Sequence, residues 1–390
     1  MYLLSLSTAV FAFLVSVPCS SSSRRLLHFL INFEQTLFTL LFGPNYIFVM
    51  RYLHCQLISL YSSALKRWYL YEHEDNGIKY YTLTPPLPPS FYTITHMYIH
   101  GGGYCVHTST EVLAGLRLLQ PRAETSRVCF ADYPLCPSSS TAEALASIKK
   151  YYALVSSTSQ SCVISGDSAG ANLALRLLLS LDVQPLGCIL ISPWLDTTFD
   201  SRFPIYEQER DYMSESFVRS FRTLIERGGG EHPSMSQLLL AVKNNPTKMS
   251  RVVILAGGRE RMLWESVALH LASGGLSDVF VGEGGHDFCL SRALGDGGSA
   301  EEAWRVVAEK VEGWRVEVLG GGEGKEEWEE VGEVDDDDEG LDMADEEEEE
   351  DGESDEDEGE FPEVKKWVDE LGKAKGAKGS RTRSKSRPRT

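Results

Sequence analysis

The residues best suited to chemistry lie in a G-x-S-x-G pattern at positions 166–170, where Ser168 follows an apolar run and precedes a helical one. Glycine two places to either side of a serine lets the chain turn sharply from a strand into a helix, which leaves the hydroxyl exposed above the edge of a sheet. Ser168 is therefore the predicted nucleophile. The same five residues would also suit an ordinary turn before a helix, so the pattern needs support from elsewhere in the chain.

Support comes from a glycine-rich motif upstream, HGGGY at 100–104, which ends another apolar run. Glycines leave room for backbone N–H groups to close on the oxygen anion that forms when a hydroxyl attacks an ester carbonyl. Gly102 and Gly103, together with Ala169 directly after the nucleophile, are the predicted donors of this oxyanion hole. The two motifs in this order predict acyl transfer through a serine.

A serine hydroxyl is a poor nucleophile at neutral pH, so it needs a base within hydrogen-bond reach and a third group that orients the base. His286 is the predicted base, because it stands in a glycine-rich loop after the last apolar strand-like run. Two other histidines fit this role less well. His270 falls inside a predicted helix, and His232 falls in a polar segment between strands.

These motifs, with DYPL at 132–135 and SPWLD at 192–196, resemble the hormone-sensitive-lipase-like branch of the α/β-hydrolase fold. That branch includes arylacetamide and steryl-acetate deacetylases and microbial carboxylesterases. The resemblance covers about residues 91–290. It implies a mainly parallel sheet with helices on both faces, an inserted helical cap over the serine, and ester hydrolysis that needs no metal or organic cofactor.

The triad acid is the point at which this sequence departs from the family pattern. The family usually has a D-x-L-x-D-E-like segment after the penultimate strand, and aligning Leu263 with its leucine puts Arg261 at the acid position, where it cannot serve. Glu260, one residue earlier, is the predicted acid, and Glu265 is the alternative. Asp287 is predicted to be structural, because a side chain adjacent to the base hardly reaches the correct ring nitrogen.

The elements that must position these residues alternate between strands and helices. Apolar periodicity predicts strands at 78–83, 92–99, 127–133, 186–192, 251–256 and 278–282, and helices at 111–119, 141–155, 171–181, 264–273 and 301–316. Such alternation is typical of a mainly parallel sheet that is covered on both faces. The alternation stops after Asp196, and about residues 199–247 are the predicted cap insertion.

Composition divides the chain into four predicted parts. They are a hydrophobic signal or anchor at 1–25, an apolar helical segment at 26–76 that belongs to the cap or lies on the membrane surface, the catalytic domain at 77–319, and a disordered tail at 320–390. The first part predicts membrane association at the endoplasmic reticulum, with secretion as the alternative. If the anchor is retained, Arg24 and Arg25 at its carboxyl-terminal end favour a cytosolic catalytic domain, whereas a cleaved signal would give the opposite side.

The net charge of −20 is concentrated at the carboxyl end. Residues 333–360 hold 20 acidic side chains and no basic one, and a basic stretch follows. The first 332 residues are only mildly acidic, so we expect no nucleic-acid binding by the catalytic domain. The tail cannot bury a core and identifies no partner. The eight cysteines show no C-x-x-C pair and no metal-ligand spacing, so we expect neither a disulfide framework nor a metal site, and one or two bridges stay open only for a lumenal domain.

The apolar amino-terminal region and the aromatic cap segment suggest a lipophilic, uncharged ester, such as an acetylated sterol or a short acylglycerol. Two other classes of function stay open at this point. The same triad would serve an amide hydrolase, and the atypical acid segment together with the long tail would suit a catalytically silent scaffold that acts through its tail.

Overall fold

The computed structural model describes residues 37, 40, 43–45, 70–75, 78–83, 93–106, 118, 126–159, 161–197, 211, 213–229, 232–290 and 297–320. The predicted anchor at 1–25 and the predicted disordered tail, apart from residue 320, lie outside these residues, as does most of the apolar segment at 26–76. Among the residues described, no helix is both long enough and apolar enough to cross a membrane.

The described strands form one eight-stranded sheet in the order β1-β2-β4-β3-β5-β6-β7-β8. The strands are β1 Leu70–Asp75, β2 Ile78–Leu83, β3 Ile94–Ile99, β4 Ser126–Ala131, β5 Cys162–Asp167, β6 Gly187–Ile191, β7 Val252–Gly257 and β8 Asp278–Gly282. β1 pairs antiparallel with β2, and β2 pairs antiparallel with β4. All other pairs are parallel, which confirms the predicted fold class.

Helices cover both faces of the sheet. They are α1 Thr141–Ser157, α2 Ala169–Ser180, α3 Glu215–Gly228, α4 Met235–Asn244, α5 Leu263–Ala272 and α6 Gly297–Gly320. Strand alternation separates two cores: Met97 and Ile99 of β3 belong to the core under α1, α2 and α5, whereas Tyr98 belongs to the core under α6. Capping boxes at Ser140 and Ser234 begin α1 and α4.

The observed elements differ from the predicted ones mainly at their ends. The sheet begins at Leu70, upstream of the domain boundary predicted at 77, because β1 pairs with β2 along its whole length. α2 begins at Ala169, two residues before the predicted start, because the turn at the nucleophile leads directly into the helix. The predicted helix at 111–119 lies outside the described residues except for Leu118. α3 and α4 fall within the predicted cap insertion.

The direction of the strands brings the predicted triad to one edge of the sheet. Ser168 follows β5, Glu260 follows β7 and His286 follows β8, and these three strands run parallel. The carboxyl ends of parallel strands lie at the same edge, where sites in open α/β sheets form. Residues separated by more than 100 positions in the sequence thereby reach one region.

Candidate active site

Ser168 occupies a strained turn between β5 and α2. Its backbone has φ 51° and ψ −118°, a conformation that non-glycine residues rarely adopt. The turn is held to the end of β6, because the Ser168 N–H donates to the carbonyl of Ile191 at 2.9 Å and the Ser168 carbonyl accepts from the N–H of Trp194 at 3.2 Å. Gly170 must be glycine here, since a Cβ on it would lie 2.1 Å from the carbonyl oxygen of Ile99.

A buried carboxylate joins the HGGGY loop to this turn. Asp167 Oδ1 accepts the N–H of Gly101 at 2.9 Å and the hydroxyl of Tyr98 at 2.8 Å. The loop that follows has positive φ at Gly102 (96°) and at Gly103 (59°), which glycine adopts without strain. The residue just before the nucleophile therefore fixes the position of the predicted oxyanion hole.

Within the described residues, the backbone N–H groups of the three predicted oxyanion donors have no hydrogen-bond acceptor. In the part of the chain that the structure describes, no atom accepts a hydrogen bond from the N–H of Gly102 or of Gly103. Ala169 is the first residue of α2, so its N–H has no partner within the helix. Their role in binding an oxyanion remains a prediction.

The loops after β7 and β8 are hydrogen-bonded to each other. The N–H of Gly258 donates to the carbonyl of Gly282 at 2.8 Å, and the N–H of Arg259 donates to the carbonyl of Gly284 at 2.9 Å. The first loop carries the predicted acid and the second carries the predicted base. Backbone pairing between them, rather than sequence proximity, places the two side chains together.

Glu260 lies beside His286, with 3.9 Å between Glu260 Oε2 and His286 Nδ1. Ser192, at the end of β6, connects the two loops: its hydroxyl donates to Glu260 Oε2 at 2.5 Å and accepts the N–H of Asp287 at 2.9 Å. The Asp287 carboxylate lies 3.6 Å from Nε2, the opposite ring nitrogen. Asp287 is therefore poorly placed to orient the imidazole through Nδ1, as the sequence predicted.

The alternative acid, Glu265, is hydrogen-bonded to the loop after β6 and not to the base. Its Oε2 accepts the N–H of Leu195 and, at 2.8 Å, the N–H of Asp196. Both donors belong to the loop after β6, so this buried carboxylate stabilises the shape of that loop. Of the two candidate glutamates, the structure pairs Glu260 with His286.

The two histidines that fit the base role less well both have hydroxyl partners. His270 Nδ1 lies 3.2 Å from the hydroxyl of Ser277, and His232 Nδ1 lies 2.8 Å from the hydroxyl of Thr141. These contacts assign packing roles to both side chains.

Burial disfavours charge on both members of the Glu260–His286 pair. It lowers the pKa of His286 from 6.5 to about 4, although the nearby Asp211 carboxylate opposes this shift. Burial also raises the pKa of Glu260 well above its usual range, against the hydrogen bond from Ser192. His286 is accordingly neutral at pH 7, as a general base must be.

Helix α3 lies directly on the predicted oxyanion loop. A Cβ on Gly103 would lie 2.5 Å from the ring of Phe221, so the ring packs against the glycine backbone. Phe217 and Trp194 surround the same ring, with centroids 4.8 and 6.4 Å away. Helix α3, together with Trp194, thus contributes an aromatic wall next to the glycines.

Two polar residues of the site have roles that sequence reasoning did not find. Asp211, between β6 and α3, is buried and accepts backbone N–H groups from both the acid loop and the base loop. No sequence pattern marked it. Ser192 stands in the SPWLD segment, which was a usable signal, but nothing local indicated that its hydroxyl would reach Glu260. Among the described residues, no group of three histidine, cysteine, aspartate or glutamate side chains could hold a metal ion.

Comparison with known proteins supports the fold. Residues 96–274 match the model of a family described as having the alpha/beta hydrolase fold. An esterase from Acinetobacter venetianus is 37% identical over 121 residues, which cover 29% of this chain and 40% of that protein. The chain thus spans about 40% of the length of this curated relative.

Solved structures show the same fold. A fungal esterase from Rhizomucor miehei matches with 20% identity and a TM-score of 0.53, covering 65% of this chain and 84% of that chain. An esterase/lipase from an uncultured bacterium matches with 20% identity and a TM-score of 0.50, covering 63% of this chain and 83% of that chain.

Proposed function

We propose that this chain, which carries an α/β-hydrolase domain of the hormone-sensitive-lipase-like branch, is a serine carboxylesterase. The observation that supports this most directly is the pairing of the loops after β7 and β8, which leaves Glu260 Oε2 3.9 Å from His286 Nδ1 at the sheet edge that also carries Ser168. The similarity to an esterase over 121 residues points to the same chemistry.

The proposed reaction has two steps. Ser168 attacks the ester carbonyl while His286 takes the hydroxyl proton, and the protonated imidazole then donates that proton to the leaving alcohol. Glu260 holds the imidazole so that Nε2 faces the serine, and its charge stabilises the imidazolium that forms. A water molecule, activated by the same histidine, then hydrolyses the acyl-enzyme.

The oxyanion of each tetrahedral intermediate would bind to the N–H groups of Gly102, Gly103 and Ala169. Each such donor contributes about 2.7–4 kcal/mol to transition-state stabilisation in enzymes of this kind. The Asp167 contacts to the loop keep these donors in place before substrate arrives, so no reorganisation is needed during reaction.

The proposed substrate is a lipophilic, uncharged ester of the acetylated-sterol or short-acylglycerol type. The aromatic wall of Phe217, Phe221 and Trp194 supports this class, because an apolar surface beside the reacting carbonyl favours apolar acyl or alcohol groups.

The test is hydrolysis of p-nitrophenyl esters from acetyl to long-chain acyl, with acetylated sterols, acylglycerols and a p-nitroanilide, by the full-length chain. We expect turnover of the esters and of at least one lipophilic ester. Hydrolysis of soluble short esters without any turnover of sterol acetates or glycerides would contradict the proposed class of substrate. An absence of turnover on every ester would contradict the proposal that the protein is an esterase.

Phe221→Ala is expected to shift acyl preference toward longer chains. Removing the ring opens space next to Gly103, and each additional buried methylene contributes about 0.8 kcal/mol, or roughly fourfold in kcat/KM. We expect the ratio of kcat/KM for octanoyl over acetyl ester to rise about tenfold. Leu224→Ala is the matched control, since it truncates a buried side chain of α3. An equal shift in both variants would contradict a direct role of Phe221.

The acid limb that His286 contributes to the pH profile should lie well below that of an ordinary histidine. Only neutral imidazole can accept the serine proton, and burial lowers the pKa of His286 to about 4. We therefore expect protonation of His286 to halve kcat/KM only near pH 4. Burial also raises the pKa of Glu260, so a limb at higher pH that is absent from Glu260→Gln would report that carboxyl group. A limb near 6.5 that persists in Glu260→Gln would contradict the buried, neutral base.

Folding must be monitored by tryptophan fluorescence at each pH of this profile. His96 is also buried with a pKa lowered to about 4. Between pH 6.5 and 4 the unfolded chain binds protons at both histidines that the folded chain does not, so the free energy of unfolding falls as the pH falls.

A further inference from the structure

We propose that Asp211 is a positioning residue that holds the base loop against the acid loop and so ties the start of the cap to the triad. The inference rests on the proposed esterase function. Asp211 lies in the connection between β6 and α3, at the start of the predicted cap insertion, and no sequence motif assigns a role to its side chain.

The two carboxylate oxygens of Asp211 bind different loops. Oδ1 accepts the backbone N–H of His286 at 3.2 Å, and Oδ2 accepts the backbone N–H of Arg261 at 3.0 Å. Arg261 directly follows the predicted acid, Glu260. One buried side chain therefore fixes the backbone at the base and next to the acid, and small shifts of either would change the distance between their side chains.

A carboxylate is required at this position because both neighbours are donors. An asparagine has a single acceptor oxygen, and its NH₂ group would face the other backbone N–H. Asp211→Asn must therefore lose one of the two ties. Leaving a buried N–H without an acceptor makes the loss larger than that of one ordinary hydrogen bond.

The acid loop also holds the chain next to Asp211. The Nε of Arg261 donates to the carbonyl oxygen of Met213 at 2.7 Å. Bonds thus run in both directions: the carboxylate of Asp211 binds the backbone of the loop, and the side chain of Arg261 binds the backbone of the cap entry. This reciprocal arrangement gives Asp211 a defined position from which to orient His286.

The charge of Asp211 also acts on the imidazole. The titratable groups that face His286 are Glu260 from the loop after β7, Asp287 beside it and Asp211 from the cap entry. Asp211 raises the pKa of His286 against the effect of burial. Asp167, behind Asp287, raises the pKa of that carboxyl and not of the imidazole.

Glu265→Gln is the matched control, because Glu265 also binds the connection between β6 and α3. Glu265 is also a buried carboxylate with two backbone donors, but both donors bind the single oxygen Oε2. The one amide oxygen of glutamine can keep both bonds, whereas asparagine at 211 cannot. Both substitutions replace a buried carboxyl group by an amide, and they differ in whether a backbone hydrogen bond is lost.

The test measures kcat, KM and thermal unfolding for full-length wild type, Asp211→Asn and Glu265→Gln on a p-nitrophenyl ester. For Asp211→Asn we expect kcat to fall about 10- to 100-fold with KM within about twofold, because displacing a reacting group by about 1 Å costs up to 10²-fold. Its acid limb should move to lower pH, since the charge that favours the imidazolium is gone. Glu265→Gln should keep kcat and the limb near wild type.

Three outcomes would overturn the proposal: wild-type kcat in Asp211→Asn, an unmoved acid limb, or equal loss in both variants. If Asp211→Asn does not fold, the Arg261→Met variant tests the proposal instead. It removes the hydrogen bond from the Arg261 side chain to the carbonyl oxygen of Met213 but keeps the backbone N–H of residue 261, which donates to Asp211. A several-fold loss of kcat at unchanged KM is then expected, and wild-type kcat would overturn the proposal. Wild type no faster than Ser168→Ala would instead refute the esterase itself.

Discussion

The Ser168→Ala chain is expected to hydrolyse p-nitrophenyl esters about 10⁴- to 10⁶-fold more slowly than wild type, since triad nucleophiles act as a unit with their base. The residual rate would come from binding and from the oxyanion hole alone. The structural basis is the turn at Ser168, whose positive φ places the side chain between the end of β5 and the start of α2. KM should change little, because the hydroxyl contributes mainly in the transition state.

Ser165→Ala is the control for this loss. Ser165 lies on the same strand and is fully buried, and its hydroxyl makes a long hydrogen bond of 3.4 Å to the carbonyl of Met97. The same chemical change there should leave kcat within a few-fold of wild type. A fluorophosphonate probe should label wild type and Ser165→Ala but not Ser168→Ala. Equal rates in wild type and Ser168→Ala would favour a catalytically silent scaffold.

Glu260→Gln is expected to lower kcat about 10⁴-fold. An amide beside Nδ1 can donate a hydrogen bond to it, whereas an ionised carboxylate can only accept one, so the substitution favours the wrong imidazole tautomer and removes the charge that stabilises the imidazolium. Because both groups are buried, no solvent can replace the lost carboxylate. The measurement is kcat on an acetyl ester at pH 7 to 8, with KM and the thermal midpoint alongside.

The Glu265→Gln variant tests which of the two glutamates is the triad acid. The amide oxygen of the new glutamine side chain can still accept the N–H groups of Leu195 and Asp196, so we expect kcat within a few-fold of wild type. A large loss in Glu265→Gln with little loss in Glu260→Gln would assign the acid role to Glu265. Small losses in both would show that the imidazole is oriented by another group.

Backbone strain is concentrated at this site. Four non-glycine residues among those described have positive φ, namely Tyr104, Ser168, Ser192 and Asp287. They follow β3, β5, β6 and β8, all at the carboxyl edge of the sheet. Each costs of order 1–3 kcal/mol and persists only where the surrounding contacts demand it. These four backbone conformations therefore lower the free energy of unfolding, and all four lie at the edge of the sheet where the proposed reaction takes place.

The fold class and the turn at the nucleophile could be predicted from the amino-acid sequence. Alternation of apolar runs predicted the parallel sheet, which the structure and the family match confirm. Short motifs predicted Ser168, the glycine loop and His286, because a turn between a strand and a helix depends on the few residues that form it. The ends of elements were less accurate: the first strand, at Leu70, was missed because its sequence LYEHED has no apolar alternation and its strand conformation shows only in the pairing with β2.

The tertiary structure alone decided which carboxylates surround the base. Glu260 and Glu265 are both acidic side chains after the same strand, and only the pairing of the loops after β7 and β8 distinguishes them. Ser192 reaches Glu260 across 68 positions and Asp211 reaches His286 across 75. Such contacts depend on how loops pack at the sheet edge, and neither periodicity nor local spacing in the sequence carries that information.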